Sequence, residues 1–301
     1  MTWWSRAKEK SDWHNGYIEW KQNDTVYISV VFSWYMQKAY QQAIFWQSQG
    51  YDVVAGGPAV NYRPSFLAEV ATIRNNIPTI HRHNPNATFT TRGCIRKCPF
   101  CIVPQIEGKF RELDNWEPRP IICDNNFLAC SDIHFGKVID SLKSLQNIDF
   151  NQGLDARLLT KERAQKLIEL NLRCLRLAWD TRNYESQFMR AFQILRDVDY
   201  PASKIWVYAL VGFQDTPDDT FDRLKTIANL GMLPFPMRYQ PLDTPKKNSF
   251  VGDNWTDKEI KKMTRYWMHQ WLYKTIPWEE FDHTATAASF SHISEKQLAL
   301  V

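Results

Sequence analysis

Short β-branched segments of strand length alternate with amphipathic helical segments between about residues 85 and 245. The pattern predicts six strands, the first at Ala87–Thr91 and the last at Met237–Tyr239, with helices between them. Such alternation favours a parallel sheet, because parallel strands need long crossover connections. We therefore expect a partial (βα)6, TIM-like barrel whose reactive groups lie at the C-terminal ends of its strands.

A shorter run of the same alternation precedes this region. A buried strand is predicted at Val26–Trp34, a helix at Tyr35–Gln49 and a second strand at Tyr51–Ala55, followed by a helix at Phe66–Asn76. The polar first two dozen residues are expected to form an irregular arm. This region is therefore predicted to be a short Rossmann-like α/β subdomain.

The pattern changes again after the barrel region. Thr256–Tyr273 is predicted to be one amphipathic helix, with Thr256 as N-cap and Glu259 completing a capping box. Trp267 and Trp271, four residues apart, either dock this helix on the barrel or stack on a substrate. The expected domains are residues 1–84, 85–245 and a helical extension over 246–301.

Composition narrows the class of protein. The 301 residues carry a formal charge of +4, too small to identify a nucleic-acid-binding protein by itself. The longest apolar runs, near Val26–Trp34 and Ile205–Phe213, are far shorter than the ~20 residues of a membrane helix. The N-terminus lacks the apolar run of a signal peptide. We expect a soluble, cytoplasmic protein with no membrane partner.

Three cysteines lie within eight residues, with the spacing C-x3-C-x2-C: Cys94, Cys98 and Cys101. Three thiolates on one loop can bind three irons of a [4Fe–4S] cluster, whereas electron-transfer clusters use four cysteines. The missing ligand indicates an iron kept open for chemistry. A structural zinc site is the alternative, and its fourth ligand would come from one of these residues: His81, His83, Cys123, Cys130 or His134.

The cysteine loop resembles that of the radical S-adenosylmethionine (radical SAM) superfamily, C-x3-C-x-aromatic-C, with Phe100 in the aromatic position. The resemblance implies that SAM chelates the open iron through its amino and carboxylate groups. One electron, from an external flavodoxin- or ferredoxin-like donor, would then cleave SAM into methionine and a 5′-deoxyadenosyl radical. That radical would abstract hydrogen from a substrate that the sequence does not identify, a nucleic acid being one candidate.

Two polar segments end the next predicted strands. Asp124, Asn125 and Asn126 resemble the D-D-N-F stretch of cobalamin-type and methylthiotransferase-type radical SAM proteins, which implies that they bind the SAM amino group. Cys123 and Cys130 are expected to be buried or idle thiols rather than ligands of a second cluster. After the third strand, residues 149–158 form a dense polar run, either a binding rim or a solvated loop with an internal Asp–Arg pair.

Further candidates lie on this rim and on the next two strands. Gln152 and Asp155 are expected to face SAM ribose or substrate, with Arg157 placed for a carboxylate. Asp180 resembles the acid of the superfamily's G-[IV]-E-S region, which implies a ribose or substrate ligand. Gly212 resembles the glycine of the adenine-site turn, where a missing side chain lets the nucleoside approach the backbone.

Two related branches of the superfamily fit less well. Methylthiotransferases carry three more N-terminal cysteines, and this chain has none before Cys94. Cobalamin-dependent methylases carry D-x-H-x-x-G after the first strand, and Asp12–Gly16 is one residue short and precedes that strand. A radical SAM enzyme with one cluster is the main hypothesis. A cobalamin-dependent radical SAM methylase and a non-enzymatic zinc- or nucleic-acid-binding module remain the alternatives.

Overall fold

The computed structural model describes residues 13–14, 16–75 and 79–284, and divides into two compact units. Unit 1 runs up to Cys123 and includes Gln240–Ser249. Unit 2 comprises Asp124–Tyr239 and the chain from Phe250 onward.

Unit 1 is built on a four-stranded sheet in the order β1-β2-β3-β4. Its strands are β1 (Tyr17–Gln22), β2 (Thr25–Val30), β3 (Asp52–Gly56) and β4 (Thr72–Ile73). β1 and β2 form an antiparallel hairpin, whereas β2, β3 and β4 are parallel neighbours. Helix α1 (Met36–Ser48) connects β2 to β3, so the predicted strand–helix–strand unit is present.

The core of this sheet lies between β2 and α1. Val26, Ile28 and Val30 occupy alternate positions of β2 and are buried together with Ala39 and Ala43 of α1. Residues two apart on a strand share a face. Small alanines on the helix let its backbone approach that face of the sheet closely. The buried face is the one that the β-branched run of β2 predicts.

Gly57 follows β3 at a position that excludes any side chain. Its φ is +99°, and an added Cβ would lie 2.7 Å from the carbonyl oxygen of Val30. Glycine is therefore required both for the backbone conformation and for the close approach of the turn to β2. Helix α2 (Pro58–Tyr62) begins directly after it.

Two sequence predictions in this region were wrong. The arm expected at the N-terminus contains β1, which pairs with β2. Trp20 of β1 stacks on Tyr27 of β2 with ring centroids 5.1 Å apart, a cross-strand contact that stabilises the pair. In place of the helix expected at Phe66–Asn76, the described residues form turns followed by β4. Pairing with β4 gives hydrogen-bond partners to backbone groups on that side of β3.

The rest of unit 1 consists of short elements around the cysteines. They are α3 (Ile80–His83), β5 (Ala87–Thr88), β6 (Thr91–Arg92), α4 (Val103–Ile106), β7 (Arg111–Glu112) and β8 (Ile121–Ile122). β5 and β8 are parallel, while β6 and β7 form an antiparallel pair that closes the segment between them into a hairpin.

Unit 2 contains a parallel sheet in the order β10-β11-β12, formed by β10 (Leu175–Ala178), β11 (Ile205–Val211) and β12 (Leu233–Arg238). β9 (Asp149–Phe150) precedes it in the chain. Parallel bridges from Ile148 to Leu172 and from Leu154 to Leu177 place the β9 segment beside β10. Helix α5 (Asp132–Leu142) precedes β9, and the helices between successive strands are α6 (Lys161–Ile168), α7 (Glu185–Asp197) and α8 (Pro217–Asn229).

The C-terminal part of unit 2 corrects one prediction. The expected single helix is broken into α9 (Asp257–Met268) and α10 (Gln270–Thr275) by the extended residue His269. The break lets the chain turn back, so that Tyr273 of α10 packs on Trp267 with ring centroids 5.1 Å apart. The predicted capping box of Thr256 and Glu259 is confirmed. Trp267 is buried, which agrees with a packing role.

The fold is therefore mixed α/β with parallel sheets, as predicted, and a strand occurs at each of the six expected positions between β5 and β12. Across residues 13–14, 16–75 and 79–284 these strands do not close into a barrel. In the same ranges no helix combines the length and the apolar character that crossing a membrane requires.

Candidate functional site

The three clustered cysteines lie in the hairpin between β6 and β7 of unit 1. Cys94, Cys98 and Cys101 are each half-buried, unlike Cys123 and Cys130, which are buried as expected. The backbone N–H of Arg96 lies 3.3 Å from the Cys94 sulfur, as a donor to it. A further turn is closed by the hydrogen bond from Cys101 N–H to the Cys98 carbonyl, at 3.0 Å. Phe100, inside this turn, is also half-buried.

Glu107 fastens the base of this hairpin. Its carboxylate accepts a hydrogen bond from Gly93 N–H at 2.8 Å and pairs with Arg92 Nη2 at 2.9 Å. Gly93 has φ +74°, and an added Cβ would lie 2.5 Å from the Lys109 carbonyl oxygen. The residue before Cys94 must therefore be glycine for the two sides of the hairpin to meet.

The donor set of this loop fits an iron–sulfur cluster in kind: three thiols on one short segment, partly accessible, with a backbone N–H directed at one sulfur. In the described part of the chain, no three His, Cys, Asp or Glu side chains form a group that could hold a single metal ion. An iron–sulfur cluster does not need three side chains to converge on one ion, because each cysteine binds a different iron of the cluster.

In unit 2, polar residues from separate segments meet in one network. Asn126 Nδ2 donates to Asp155 Oδ2 at 3.2 Å, and Arg157 binds the same carboxylate through two nitrogens, at 2.6 and 3.0 Å. The Arg157 guanidinium lies over the Tyr184 ring, 4.3 Å from the ring centroid. The internal Asp–Arg pair considered as an alternative for this rim is therefore present, and Asp155 is the carboxylate that Arg157 binds.

Asp180 follows β10 and joins this network electrostatically. Burial raises the pKa of its carboxyl to about 6, although Arg223, a backbone hydrogen bond from Leu210 and Arg157 all act to lower it. Asp215 adds to the rise. A carboxyl that titrates near neutral pH could exchange a proton with a ligand, or accept hydrogen bonds from one as the anion.

A second ion pair lies deeper in unit 2. Arg176 binds Asp149 through two nitrogens, at 2.6 and 2.7 Å, and both side chains are buried. The Arg176 guanidinium also lies 4.9 Å from the ring centroid of Trp206. The Arg176 side chain is therefore directed into the interior of unit 2. Burial is the main cause that raises the pKa of nearby Tyr208 to about 12.

The remaining candidates occupy different surroundings. Asp124 is buried and Asn125 is half-buried, while Gln152 is exposed. Gly212 has φ +86°, and Ile260 of α9 fills the space above it, with its Cδ1 2.9 Å from the position of an added Cβ. At this strand end the absent side chain makes room for the protein's own helix.

Sequence reasoning missed Arg223, which is almost completely buried. It extends from α8, pairs with Asp215 and donates to the Leu210 carbonyl at 2.8 Å. The helical period that buries Leu224 and Ile227 also turns this arginine inward, and a lone arginine on that face was the available signal.

No family model and no curated protein matches the chain.

Proposed function

We propose that the chain is a radical SAM enzyme with a single [4Fe–4S] cluster. The C-x3-C-x2-C loop is the observation that carries this proposal. Its support from the fold is local: the three half-buried cysteines lie in a hairpin whose base is fastened by Glu107 and by the required Gly93. A loop restrained in this way loses less conformational entropy when metal binding fixes its cysteine side chains.

Each set of residues has its own task under this proposal. Cys94, Cys98 and Cys101 would hold three irons, and the backbone N–H of Arg96 would donate a hydrogen bond to the Cys94 sulfur. The bound cluster and SAM together supply one-electron cleavage of SAM to methionine and a 5′-deoxyadenosyl radical, which takes hydrogen from the substrate.

The residues expected to contact SAM follow the strands β8 and β10 in the chain. Asp124, Asn125 and Asn126 would bind its amino group, and Asp180 would face its ribose or the substrate. Asn126 and Asp155 fix each other by hydrogen bonding, so that they present a defined polar edge. The substrate itself is left open.

The finer fold belongs to the same proposal. We infer that residues 85–245 form a partial (βα)6 barrel, with 1–84 and 246–301 as flanking parts. The parallel order β10-β11-β12 and the parallel bridges beside β10 support this inference. We also propose that the protein is soluble and cytoplasmic and receives electrons from an external donor, since oxygen damages exposed clusters.

Anaerobic reconstitution with iron and sulfide tests the proposal directly. The expected product binds about four irons per chain, a cube's content. With dithionite and SAM it should release 5′-deoxyadenosine. A variant with Cys94, Cys98 and Cys101 all changed to Ala should lose both properties.

The control is a variant with Cys123→Ala and Cys174→Ala, which removes two buried thiols and should keep full iron content. About eight irons per chain would contradict the single cluster. Stoichiometric zinc with no SAM cleavage would instead support the zinc-module alternative.

The SAM contact is tested separately at Asp124. Asp124→Ala should weaken SAM binding about tenfold, as expected for the loss of one hydrogen bond to a charged group, with iron content unchanged. Asp132→Ala, at an exposed helix N-terminus in the same unit, is the matched control. Equal SAM affinity in the two variants would remove Asp124 from the site.

A further inference from the structure

Two aromatic rings are stacked on the surface of unit 1, in the loop that follows β2. The rings of Phe32 and Trp34 have centroids 4.5 Å apart and planes only 10° from parallel. Phe32 is 38% exposed and Trp34 is half-buried. Gly16 lies directly under the Phe32 ring, where any side chain would collide with it. The pair is therefore held in place from below while it presents aromatic surface to solvent.

Two lysines lie beside these rings. Lys246 and Lys247 are exposed and belong to a later segment of the chain that is part of unit 1. Ser33, between the two aromatic residues, fastens this segment by donating its hydroxyl to the Thr244 carbonyl at 2.6 Å. Lys247 Nζ lies 5.9 Å from the Trp34 ring centroid, at the outer limit of a cation–π contact. We call this surface the aromatic–lysine face, formed by Phe32, Trp34, Lys246 and Lys247.

The distribution of charge favours an anionic partner for this face. Unit 1 contains 16 Lys and Arg against 11 Asp and Glu, a net charge of +5, whereas unit 2 contains 21 against 22. Residues 25–51 include no Asp or Glu, and Asp243 is the single acid of residues 240–249. The small charge of the whole chain thus conceals a basic unit 1, which attracts polyanions.

The aromatic–lysine face lies at the carboxyl end of the parallel strands of unit 1. Its rings follow β2, and the Gly57 turn that leads from β3 into α2 touches the Val30 backbone at the end of β2. Helix α2 lies against α4, which begins two residues after Cys101. The carboxyl ends of parallel strands are where α/β sheets bind ligands. The segment that follows the cysteines therefore lies at the same end of unit 1 as the face.

We propose that the aromatic–lysine face binds a single-stranded polynucleotide, with a base stacked on Trp34 and phosphates paired with Lys246 and Lys247. Stacking on aromatic rings and pairing of phosphates with basic side chains are the contacts that hold single strands. Lys247 gives up only a weak contact with the Trp34 ring when it turns to a phosphate. That this strand is the substrate of the enzyme rests on the proposed function, whereas its binding does not.

An acidic peptide and a nucleic-acid duplex are the competing occupants. Carboxylates of a peptide would pair with the lysines but gain nothing from the flat face of Trp34. A duplex keeps its base faces stacked on one another, so it would also use the lysines alone. Only a single strand uses both parts of the aromatic–lysine face, and the exposed ring pair therefore favours it.

Fluorescence anisotropy with labelled oligonucleotides of about 12 nucleotides measures binding to the full-length chain before reconstitution. RNA and DNA of one sequence are compared, each as single strand and as duplex. Trp34→Leu removes the ring but keeps an apolar side chain, and should weaken single-strand binding about 5- to 100-fold. Phe45→Leu, which removes a ring 48% exposed on α1, is the control and should bind as the wild type does.

Salt dependence tests the two lysines. Lys246→Gln/Lys247→Gln should lower the slope of log affinity against log salt concentration by about 1.4, the value for two phosphate contacts on a single strand. Lys161→Gln/Lys204→Gln removes the same charge at exposed positions of unit 2 and should leave the slope unchanged. This variant pair keeps the test decisive if Trp34→Leu does not fold.

Equal single-strand affinity of Trp34→Leu and Phe45→Leu would overturn the proposal, and so would tighter binding of the duplex. A poly-glutamate peptide that binds the wild type and Trp34→Leu equally, where no oligonucleotide binds, would identify an acidic protein instead. Tighter binding of the RNA or of the DNA strand supports the proposal and names the sugar. A wild type that binds single strands but, after reconstitution, releases no 5′-deoxyadenosine with SAM and dithionite would refute the proposed function and leave this binding surface in place.

Discussion

The cysteine hairpin of unit 1 and the polar network of unit 2 are organised in opposite ways. Hairpin contacts connect residues close in sequence: Arg96 N–H with the Cys94 sulfur, and Gly93 with Glu107 fourteen positions away. Apart from the neighbouring pair of Asp155 and Arg157, the unit 2 contacts connect distant residues, as from Asn126 to Asp155 and from Arg176 to Asp149.

This difference separates binding from stability. The hairpin keeps its sulfurs half-buried and two lysines exposed, so these side chains are accessible to a ligand or a partner. The unit 2 side chains mostly bind one another and are buried, so removing one leaves its partner uncompensated. Substitutions in the hairpin should therefore change ligand binding, whereas those in unit 2 should first change stability.

The largest expected effect on stability is at the buried ion pair. Asp149→Ala leaves Arg176 buried without its carboxylate and should cost about 3–5 kcal/mol of unfolding free energy. Chemical denaturation followed by circular dichroism measures it. Cys101→Ala in the hairpin should cost less than about 1 kcal/mol.

The double variant Asp149→Leu/Arg176→Met provides the control for that loss. It removes both charges and should recover much of the stability, because a hydrophobic pair of similar volume needs no charge compensation. If the single variant Asp149→Ala and Cys101→Ala cost the same, the contrast between the two regions would be wrong.

The second effect depends on pH and concerns Asp180. Its folded-state pKa, about 6, lies above its ordinary value of 3.8, so the folded state binds the proton more tightly. The stability this adds is fully present below about pH 4 and is lost as the pH rises through about 6. Asp180→Asn should therefore gain about 1–3 kcal/mol relative to the wild type between pH 4 and 8.

Denaturant unfolding of both proteins across that pH range tests this sign. The groups that face Asp180 are Arg223, Arg157, Asp215 and the Leu210 backbone. A difference in stability that moves in the opposite direction would mean that the arginines outweigh burial and hold the carboxylate ionised. Asp218→Asn, at an exposed position near the start of α8, is the matched control for removal of one carboxylate.

A smaller effect is expected at the base of the hairpin. Glu107→Gln removes the ion pair with Arg92 but keeps an acceptor for Gly93, and should cost about 1–2 kcal/mol of local stability. Amide hydrogen exchange across residues 93–106 should accelerate by about 5- to 30-fold. Glu117→Gln, in an exposed pair with Arg119, should change exchange little.

The same contrast explains what could be predicted from the sequence. Spacing alone grouped Cys94, Cys98 and Cys101 on one loop, because three cysteines within eight residues cannot lie far apart, and periodicity placed helix α1 to within one residue at each end. β1 was missed because its stability comes from pairing with β2, and the break at His269 because it depends on packing between Trp267 and Tyr273. The local pair of Asp155 and Arg157 could be anticipated from the sequence, whereas Asn126 beside Asp155 and Arg223 beside Asp180 are distant in sequence, and no local pattern encodes them.

The smallest expected effect is the response to cobalamin, for which we predict no binding. Cobalt ligation would need a histidine in the loop after β2, and the residues there include Ser33, Trp34 and Tyr35. Trp34 stacks on Phe32 with ring centroids 4.5 Å apart, and Ser33 Oγ donates to the Thr244 carbonyl at 2.6 Å. The loop is thus filled by packed aromatic rings. In the shortened motif Asp12–Gly16, Asp12 and Asn15 lie outside the described residues.

Incubation with hydroxocobalamin, followed by desalting and absorbance spectroscopy, measures retention of the corrin. The expected value is well below one corrin per chain, equal to that of a Trp34→Ala variant, since neither protein offers a cobalt ligand there. Retention of about one corrin per chain by the wild type would revive the cobalamin-dependent methylase alternative. It would also give unit 1 a second cofactor site besides the one proposed for the cysteine hairpin, which would change the contrast with unit 2.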